Sequence, residues 1–287
     1  MDDGEIVVAR EKVGHLKLPD QEYGSSWLSR QLNSIDEYKL THVEEVPDEH
    51  SSRMYTLFEY FLDSAILHVV SSQSDSFIPN VLDVGCGTYN TKPPYVSSSL
   101  EDTTHYYGLD PLDINFSSRS YPFFLGDLTQ LANQAHLKSQ FDIFVFATSL
   151  DHIEDLDKTR SEICELASRG AVAVFWCGVH DPELTGEHNG SLVFNKLLSG
   201  GVIVGYLLYY IYGIMRLPRL LLRAARTRYR LRHGVPLDDL HERYFTTGSL
   251  EDIMQKFGTI VSSVRIPGSG SMFYCVSLHD ELGDQGS

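Results

Sequence analysis

Apolar residues recur along this chain with two different periods, and the change from one to the other marks its organisation. Over residues 52–71, Met54, Leu57, Phe58, Phe61, Leu62, Ala65, Ile66 and Val69 follow helical spacing and predict an amphipathic helix. Ahead of it, residues 1 to about 50 are polar and acidic with no sustained apolar period, and read as an N-terminal extension with short helices. Beyond a Ser/Asp-rich loop the pattern turns to short apolar runs. Residues 81–84, 105–109, 123–125, 143–147 and 171–176 each read as buried strands, with helices over 129–138 and 157–168 between them. Strand–helix alternation of this kind predicts a parallel sheet covered on both faces. The chain ends differently: a helix over 248–257, a strand over 260–266, the turn Pro267-Gly268-Ser269-Gly270 and a strand over 272–278 form an antiparallel hairpin. The predicted fold is α/β, a doubly wound, mostly parallel seven-stranded sheet with a C-terminal antiparallel hairpin and an α-helical insertion.

The sharpest local signal is the run Val81-Leu82-Asp83-Val84-Gly85-Cys86-Gly87-Thr88, an apolar strand with an acid near its end and then a glycine-rich turn. Glycines let backbone N–H groups approach a ligand closely, and open α/β sheets bind ligands beyond the carboxyl ends of their strands. The next predicted strand ends in Asp110, and the one after runs into Gly126-Asp127-Leu128. Carboxylates at three successive strand ends suit a ligand carrying an amine, a ribose diol and an exocyclic amino group. A dinucleotide-binding loop, G-x-G-x-x-G, would need its third glycine where Asn90 stands, and gives no reason for acids at Asp83 or Asp127.

These motifs resemble those of the class I S-adenosylmethionine-dependent methyltransferases, with the DxGxG first motif at Asp83, Gly85 and Gly87. The resemblance implies S-adenosyl-L-methionine as cofactor, Asp110 on its ribose hydroxyls, and Asp127 with Leu128 on its adenine. It covers about residues 80–178 and resumes over 241–278, which divides the chain into four parts. These are an extension over 1–75, a cofactor-binding core over 76–178, an insertion over 179–240 and the rest of the core over 241–287. Two departures stand in the first motif: Tyr89 replaces a glycine common in the family, and Pro93-Pro94 sit where the first helix would begin. A helix starting later is the expectation, since proline is tolerated in a first turn. Two histidines are candidates for the catalytic side. His152 lies just past the fourth core strand, and His241 belongs to a polar patch ahead of the last helix that resembles one in small-molecule and glycan methyltransferases. The His- and acid-rich run over 41–50 reads as a solvated acidic loop, without a frame to converge it on a metal.

Charge changes the picture in one place. The chain carries a formal charge of −16, which argues against a general nucleic-acid partner. Yet residues 190–236 contain Lys196, seven arginines and no acid, so this segment is +8 and the remainder is about −24. Within it, residues 197–215 are 19 positions without a charge, followed by Arg216, Arg219, Arg223, Arg226 and Arg230 at alternating spacings of three and four. On a continuous helix those five share one face. A single membrane crossing would strand the last two core strands on the far side, so an element lying in the surface of an anionic leaflet over 197–232 is the favoured expectation. A soluble lid that meets an anionic acceptor is the other. The four cysteines show no CxxC spacing, and residues 1–15 lack the apolar core of a secretory signal, which together predict reduced thiols in the cytoplasm. The sequence thus predicts methyl transfer to a hydrophobic or lipid-linked acceptor by a cytoplasmic protein peripheral on the membrane. A soluble enzyme for a small metabolite or glycan, or a non-catalytic cofactor-binding relative, is the alternative.

Overall fold

The computed structural model describes residues 15–17, 49–71, 73–74, 77–87, 89, 91–97, 103–112, 119–179, 243–266 and 269–278. Their strands are β1 (His15–Lys17), β2 (Asn80–Val84), β3 (His105–Asp110), β4 (Phe123–Leu125), β5 (Phe141–Ala147), β6 (Ala167–Gly178), β7 (Gly258–Ile266) and β8 (Ser271–Leu278). The helices are α1 (Glu49–Ser71), α2 (Leu128–Ala132), α3 (Leu156–Leu166) and α4 (Thr247–Phe257). All eight strands form one sheet in the order β1-β4-β3-β2-β5-β6-β8-β7. Every pairing is parallel except those of β8, which runs antiparallel to both β6 and β7. The seven expected strands are present, and β1 adds an eighth at the β4 edge from a segment whose acidic, aperiodic sequence suggests only short helices.

Strand alternation sorts the core into two layers. Leu82, Val84, Phe144, Phe146, Ala173 and Phe175 point to one face, where Leu131 of α2, Ile163 of α3 and Leu250 and Met254 of α4 cover them. Val81, Ile143, Val145, Val172, Val174 and Phe273 point to the other, under Met54, Phe58 and Leu62 of α1. Phe58 is fully buried, with its ring 5.1 Å from Phe273 and 5.4 Å from both Tyr95 and Trp176. The amphipathic pattern read over 52–71 is therefore the contact that closes one side of the sheet. By the same alternation Asp83 falls on the α1 side, a carboxylate in an apolar layer.

The sheet reverses direction of growth between β2 and β5. From β2 the chain builds outward through β3 to β4, then crosses back to lay β5 and β6 on the opposite side. The connections leaving β2 and β5 therefore run to opposite sides, and the crevice between them is the position where open α/β sheets bind ligands.

Two local expectations change. The helix predicted over 129–138 stops at Ala132, because Asn133 caps α2 and Gln134 is extended before a separate 3-10 turn at Ala135–Leu137. The helix predicted to reach Ser168 ends at Leu166, since Ala167 is already extended and begins β6. The β5–β6 register also shifts between Phe141 and Ile143, with Gly170 at φ 78° in the early part of β6. No helix follows the glycine loop among the described residues up to Val96–Ser97; Pro93 and Pro94 lead into a turn closed by the Val96 N–H on the Pro93 carbonyl, 2.9 Å away. The expected insertion over 179–240 lies outside the described residues except for Val179. That residue bridges Phe245 in parallel, so the chain's departure from β6 and its return before α4 lie side by side.

The hairpin makes one position intolerant of any side chain. A Cβ on Gly258, the first residue of β7, would lie 1.9 Å from the Ser277 carbonyl oxygen, a backbone atom held in the ladder. Gly258→Ala is expected to lower unfolding stability by about 1–3 kcal/mol through forced displacement of the hairpin, measurable by urea titration. An unchanged midpoint would mean that β7 is not held against β8 at this end.

Candidate functional site

The site grows from the end of β2. Gly85 and Gly87 both take positive φ, 74° and 77°, which turns the chain sharply out of the strand. Gly85 has a second reason to lack a side chain: its Cβ would lie 2.5 Å from the Cβ of Ser149, whose hydroxyl donates to the Val84 carbonyl at 2.6 Å. Ser149 follows β5, so this contact ties the two strand ends that flank the crevice. On the other side the Gly85 N–H donates to the Leu109 carbonyl at 2.8 Å, and the Gly87 N–H to Asp110 Oδ2 at 2.9 Å. The loop is thus held from β3 and β5 together.

Asp110 ends β3 with both oxygens engaged, Oδ1 accepting the Leu112 N–H at 2.9 Å. Burial pushes its carboxyl up to about 6, against the pull of the two backbone N–H groups and of Arg119. Each carboxylate oxygen accepts more than one hydrogen bond, so capacity remains for the hydroxyls of a diol. Asp127 precedes α2 as its N-cap. Its Oδ1 accepts the Gln130 N–H at 2.9 Å while Gln130 Oε1 accepts the Asp127 N–H at 2.8 Å, a reciprocal capping box that fixes the β4–α2 turn. Leu128 is buried as the first residue of that helix. The structure therefore brings Asp83, Gly85, Gly87, Asp110, Asp127 and Leu128 to the same edge of the sheet, at the ends of three adjacent strands.

Asp83 is the least ordinary of them. It is fully buried, and its Oδ2 accepts two phenolic hydrogen bonds, from Tyr106 at 2.6 Å and Tyr95 at 2.7 Å. Its Oδ1 is also buried and has no hydrogen-bond partner among the described residues. Burial pushes the carboxyl up to about 7, against the two phenols that favour the anion, with the Asp110 charge adding to the rise. A buried carboxylate oxygen without a partner costs free energy and is expected to meet one in the functional state.

Several residues of this site escape the sequence pattern. Arg119 is buried between the loop and the sheet: its Nη2 donates to the Gly87 carbonyl at 2.8 Å, its Nη1 to the Tyr121 hydroxyl, and its guanidinium lies 3.7 Å from the centre of the Phe123 ring. Nothing in its flanking sequence marks it. Tyr106 had a usable signal. Parallel pairing of Asp83 with Gly108 puts Tyr106, two residues earlier, on the same face as Asp83. Gly108 keeps that face open, since a Cβ there would lie 2.7 Å from Tyr121 and 2.8 Å from the Cys86 sulfur.

Of the two candidate histidines, His152 ends a 3-10 turn after β5, partly exposed, with Nε2 3.9 Å from Asp151 Oδ1. The Asp151 carbonyl of the same turn accepts the Arg243 N–H at 3.2 Å, so the chain re-enters the core beside it. His241 lies outside the described residues, as does the acidic run over 41–48. No cluster of metal-binding side chains occurs among the described residues.

Strand order 4-3-2-5-6-8-7, a glycine loop after the central strand and acids at three strand ends make a combination that known structures can test. The chain aligns with a Burkholderia thailandensis 1,6-didemethyltoxoflavin-N1-methyltransferase, solved with 1,6-didemethyltoxoflavin and S-adenosylhomocysteine, over 92% of its own length and 94% of that chain, with TM-score 0.50 and 13% identity. The fold is that of the class I methyltransferases. A CurJ carbon methyltransferase aligns over 88% of this chain and 69% of its own at TM-score 0.45 and 14% identity. The PH0226 protein of Pyrococcus horikoshii OT3 does so over 85% and 99% at 0.46 and 14%. No family model and no curated protein matches the chain. Within the class I methyltransferase fold, β1 is an added edge strand and the turn at Pro93–Tyr95 takes the place of an immediate helix.

Buried carboxyls raised in the folded state make stability depend on pH in a definite direction. An aspartate titrates near 3.9 in an unfolded chain, so a folded value of about 7 means that stability is fully present below about pH 4 and is lost as pH rises to about 7. Asp83→Asn carries no charge at any pH. The ligand-free wild type is expected to lose stability relative to Asp83→Asn by about 1.4 kcal/mol per unit between those limits, read from urea unfolding at pH 5, 6, 7 and 8. A difference that stays constant with pH would show that folding does not raise the Asp83 carboxyl above its unfolded value.

Proposed function

We propose that this protein transfers the methyl group of S-adenosylmethionine to a hydrophobic or lipid-linked acceptor at the cytoplasmic surface of a membrane. The observation that carries the first half is the set of three strand-end carboxylates, and above all Asp83, whose buried Oδ1 has no hydrogen-bond partner among the described residues and suits a cationic group. The residues fit the cofactor by their chemistry. Asp83 would take its ammonium group, Asp110 its ribose hydroxyls, and Asp127 and Leu128 its adenine. When bound, the cofactor supplies an electrophilic methyl on a sulfonium. The solved Burkholderia thailandensis methyltransferase of the same fold holds S-adenosylhomocysteine.

The work left to the protein is chiefly orientation, since an in-line displacement gains most from holding the reactants aligned. The Ser149–Val84 and Gly87–Asp110 hydrogen bonds keep the cofactor loop rigid against β5 and β3. A proton acceptor is needed only where the acceptor atom carries a proton, and His152 and His241 are the candidates for that role. The Arg243 N–H bond to the Asp151 carbonyl supports it, because it ties the segment following His241 to the turn that carries His152.

The second half rests on composition. Among the described residues no helix is long and apolar enough to cross a membrane. The uncharged run over 197–215 and the arginines after it supply apolar surface and attraction to anionic lipid, about 1 kcal/mol for each arginine near the surface.

Two measurements test the two halves separately. Calorimetry is expected to show S-adenosylmethionine binding, weakened by about 1–3 kcal/mol in Asp110→Ala through lost charge-assisted hydrogen bonds; binding of NAD instead would overturn the cofactor assignment. In flotation, the wild type is expected to rise with anionic vesicles but not neutral ones, and to do so less at high salt. Replacing Arg216, Arg219, Arg223 and Arg226 with Gln should leave it at the bottom. A wild type that never floats, with the same substitutions changing acceptor affinity, would make the insertion a lid and the acceptor soluble.

A further inference from the structure

The two carboxylates at the centre of the site are held in opposite ways. Asp110 is bound by backbone N–H groups and lies within the field of the Arg119 guanidinium. Among the described residues Asp83 is bound only by phenols, both on one oxygen, and Arg119 instead stacks on Phe123 and serves the Gly87 carbonyl. A neutral donor favours the anion without cancelling its charge, whereas a guanidinium cancels it. The first arrangement suits a neutral diol, and the second suits a cation.

We propose that Tyr95 and Tyr106 are positioning residues that keep the Asp83 carboxylate anionic and turned so that Oδ1 is left for the ammonium group of the amino-acid end of the cofactor. This rests on the S-adenosylmethionine reading above. Tyr106 is fixed in β3 and Tyr95 is delivered by the Pro93–Tyr95 turn, so the pair clamps Oδ2 from a strand and from a loop. Both phenols are pushed upward by burial and by the Asp83 charge, so both remain donors at neutral pH. The other groups around the carboxylate are few. Cys86, Tyr89, Tyr121 and Arg119 belong to the loop and the segment before β4, Asp110 to β3, and Lys92 lies 5.6 Å from the centre of the Tyr106 ring. β5 presents Val145 in register with Asp83, and α1 contributes Tyr55, whose hydroxyl is 3.5 Å from that of Tyr89. None of these donates a hydrogen bond to Asp83 among the described residues.

Removing the hydroxyls leaves the ring packing and takes away only what holds the anion, so Asp83 should keep its proton to higher pH. The readout is the ratio of S-adenosylhomocysteine affinities, wild type over Tyr95→Phe/Tyr106→Phe, from calorimetry between pH 6 and pH 9. The titration of the ligand itself cancels in that ratio. It is expected to be about tenfold or more at pH 6 and to shrink steadily toward pH 9, where both proteins hold the anion. The single variants Tyr95→Phe and Tyr106→Phe are expected to give smaller ratios with the same pH trend, and carry the test if the double variant does not fold. 5′-Methylthioadenosine, which has the nucleoside and lacks the amino-acid end, should bind wild type and variants alike. A ratio independent of pH, or equal losses for both ligands, would reduce the tyrosines to packing and overturn the proposal. If the wild type binds neither ligand, the cofactor reading itself fails, an outcome distinct from either of those.

Discussion

The physical constraint on which this site depends is a charge that the fold cannot hydrate. Asp83 stands on the α1 face of the central strand, within a layer made of Val81, Val145, Val174 and Phe58. Strand alternation leaves it no route to water, and a buried carboxylate without donors would be displaced or neutral. The features peculiar to this chain answer that demand. Tyr106 must be a tyrosine because β3 pairs in parallel beside β2, and Gly108 must be small because Tyr121 and Cys86 crowd the same face. Tyr95 must reach inward, and the segment that carries it cannot then begin a helix directly after the glycine loop.

Rigidity in the loop comes from a different source. Three neighbours hold a few backbone groups: Leu109 accepts from Gly85, Asp110 accepts from Gly87, and Arg119 donates to the Gly87 carbonyl. Ser149 adds a tie to β5 through Val84. Because these bonds are to backbone atoms, the loop's shape is set by its surroundings; Gly85 and Gly87 contribute by being small, while the buried Cys86 sulfur packs against Tyr121 and Arg119. Replacement of the usual third glycine by Tyr89 is tolerated on this account, its hydroxyl lying near that of Tyr55 on α1.

Much of the fold was legible in the sequence because its central strands are buried on both faces and therefore read as largely apolar runs, β5 being the extreme with all seven positions buried, Asp142 included. Asp83, Asp110 and Asp127 were legible as a set because each stands at or next to the end of a short apolar run, in three successive predicted strands. What was hidden lies in contacts between segments distant in sequence. Arg119 looks like one more polar residue in a loop, and its role appears only when β4 sits beside β3. Pro93 and Pro94 suggest a delayed helix start, and only the hydrogen bond of Tyr95 to Asp83 explains why the chain turns inward. Helix ends were missed where capping by Asn133 or an extended Ala167 overrode propensity.

The bridge between Val179 and Phe245 has a consequence for how such a protein can diversify. The 65 residues between these two positions start and finish at adjacent points on one edge of the sheet, so to the core they are a single closed loop. The entropy of closing a loop grows only with the logarithm of its length, about 0.6 kcal/mol for each doubling. The sheet is therefore nearly indifferent to how long that excursion is. Insertions and deletions there should cost the core little, whereas a change at Asp83 or at the two tyrosines that hold it acts on the core directly.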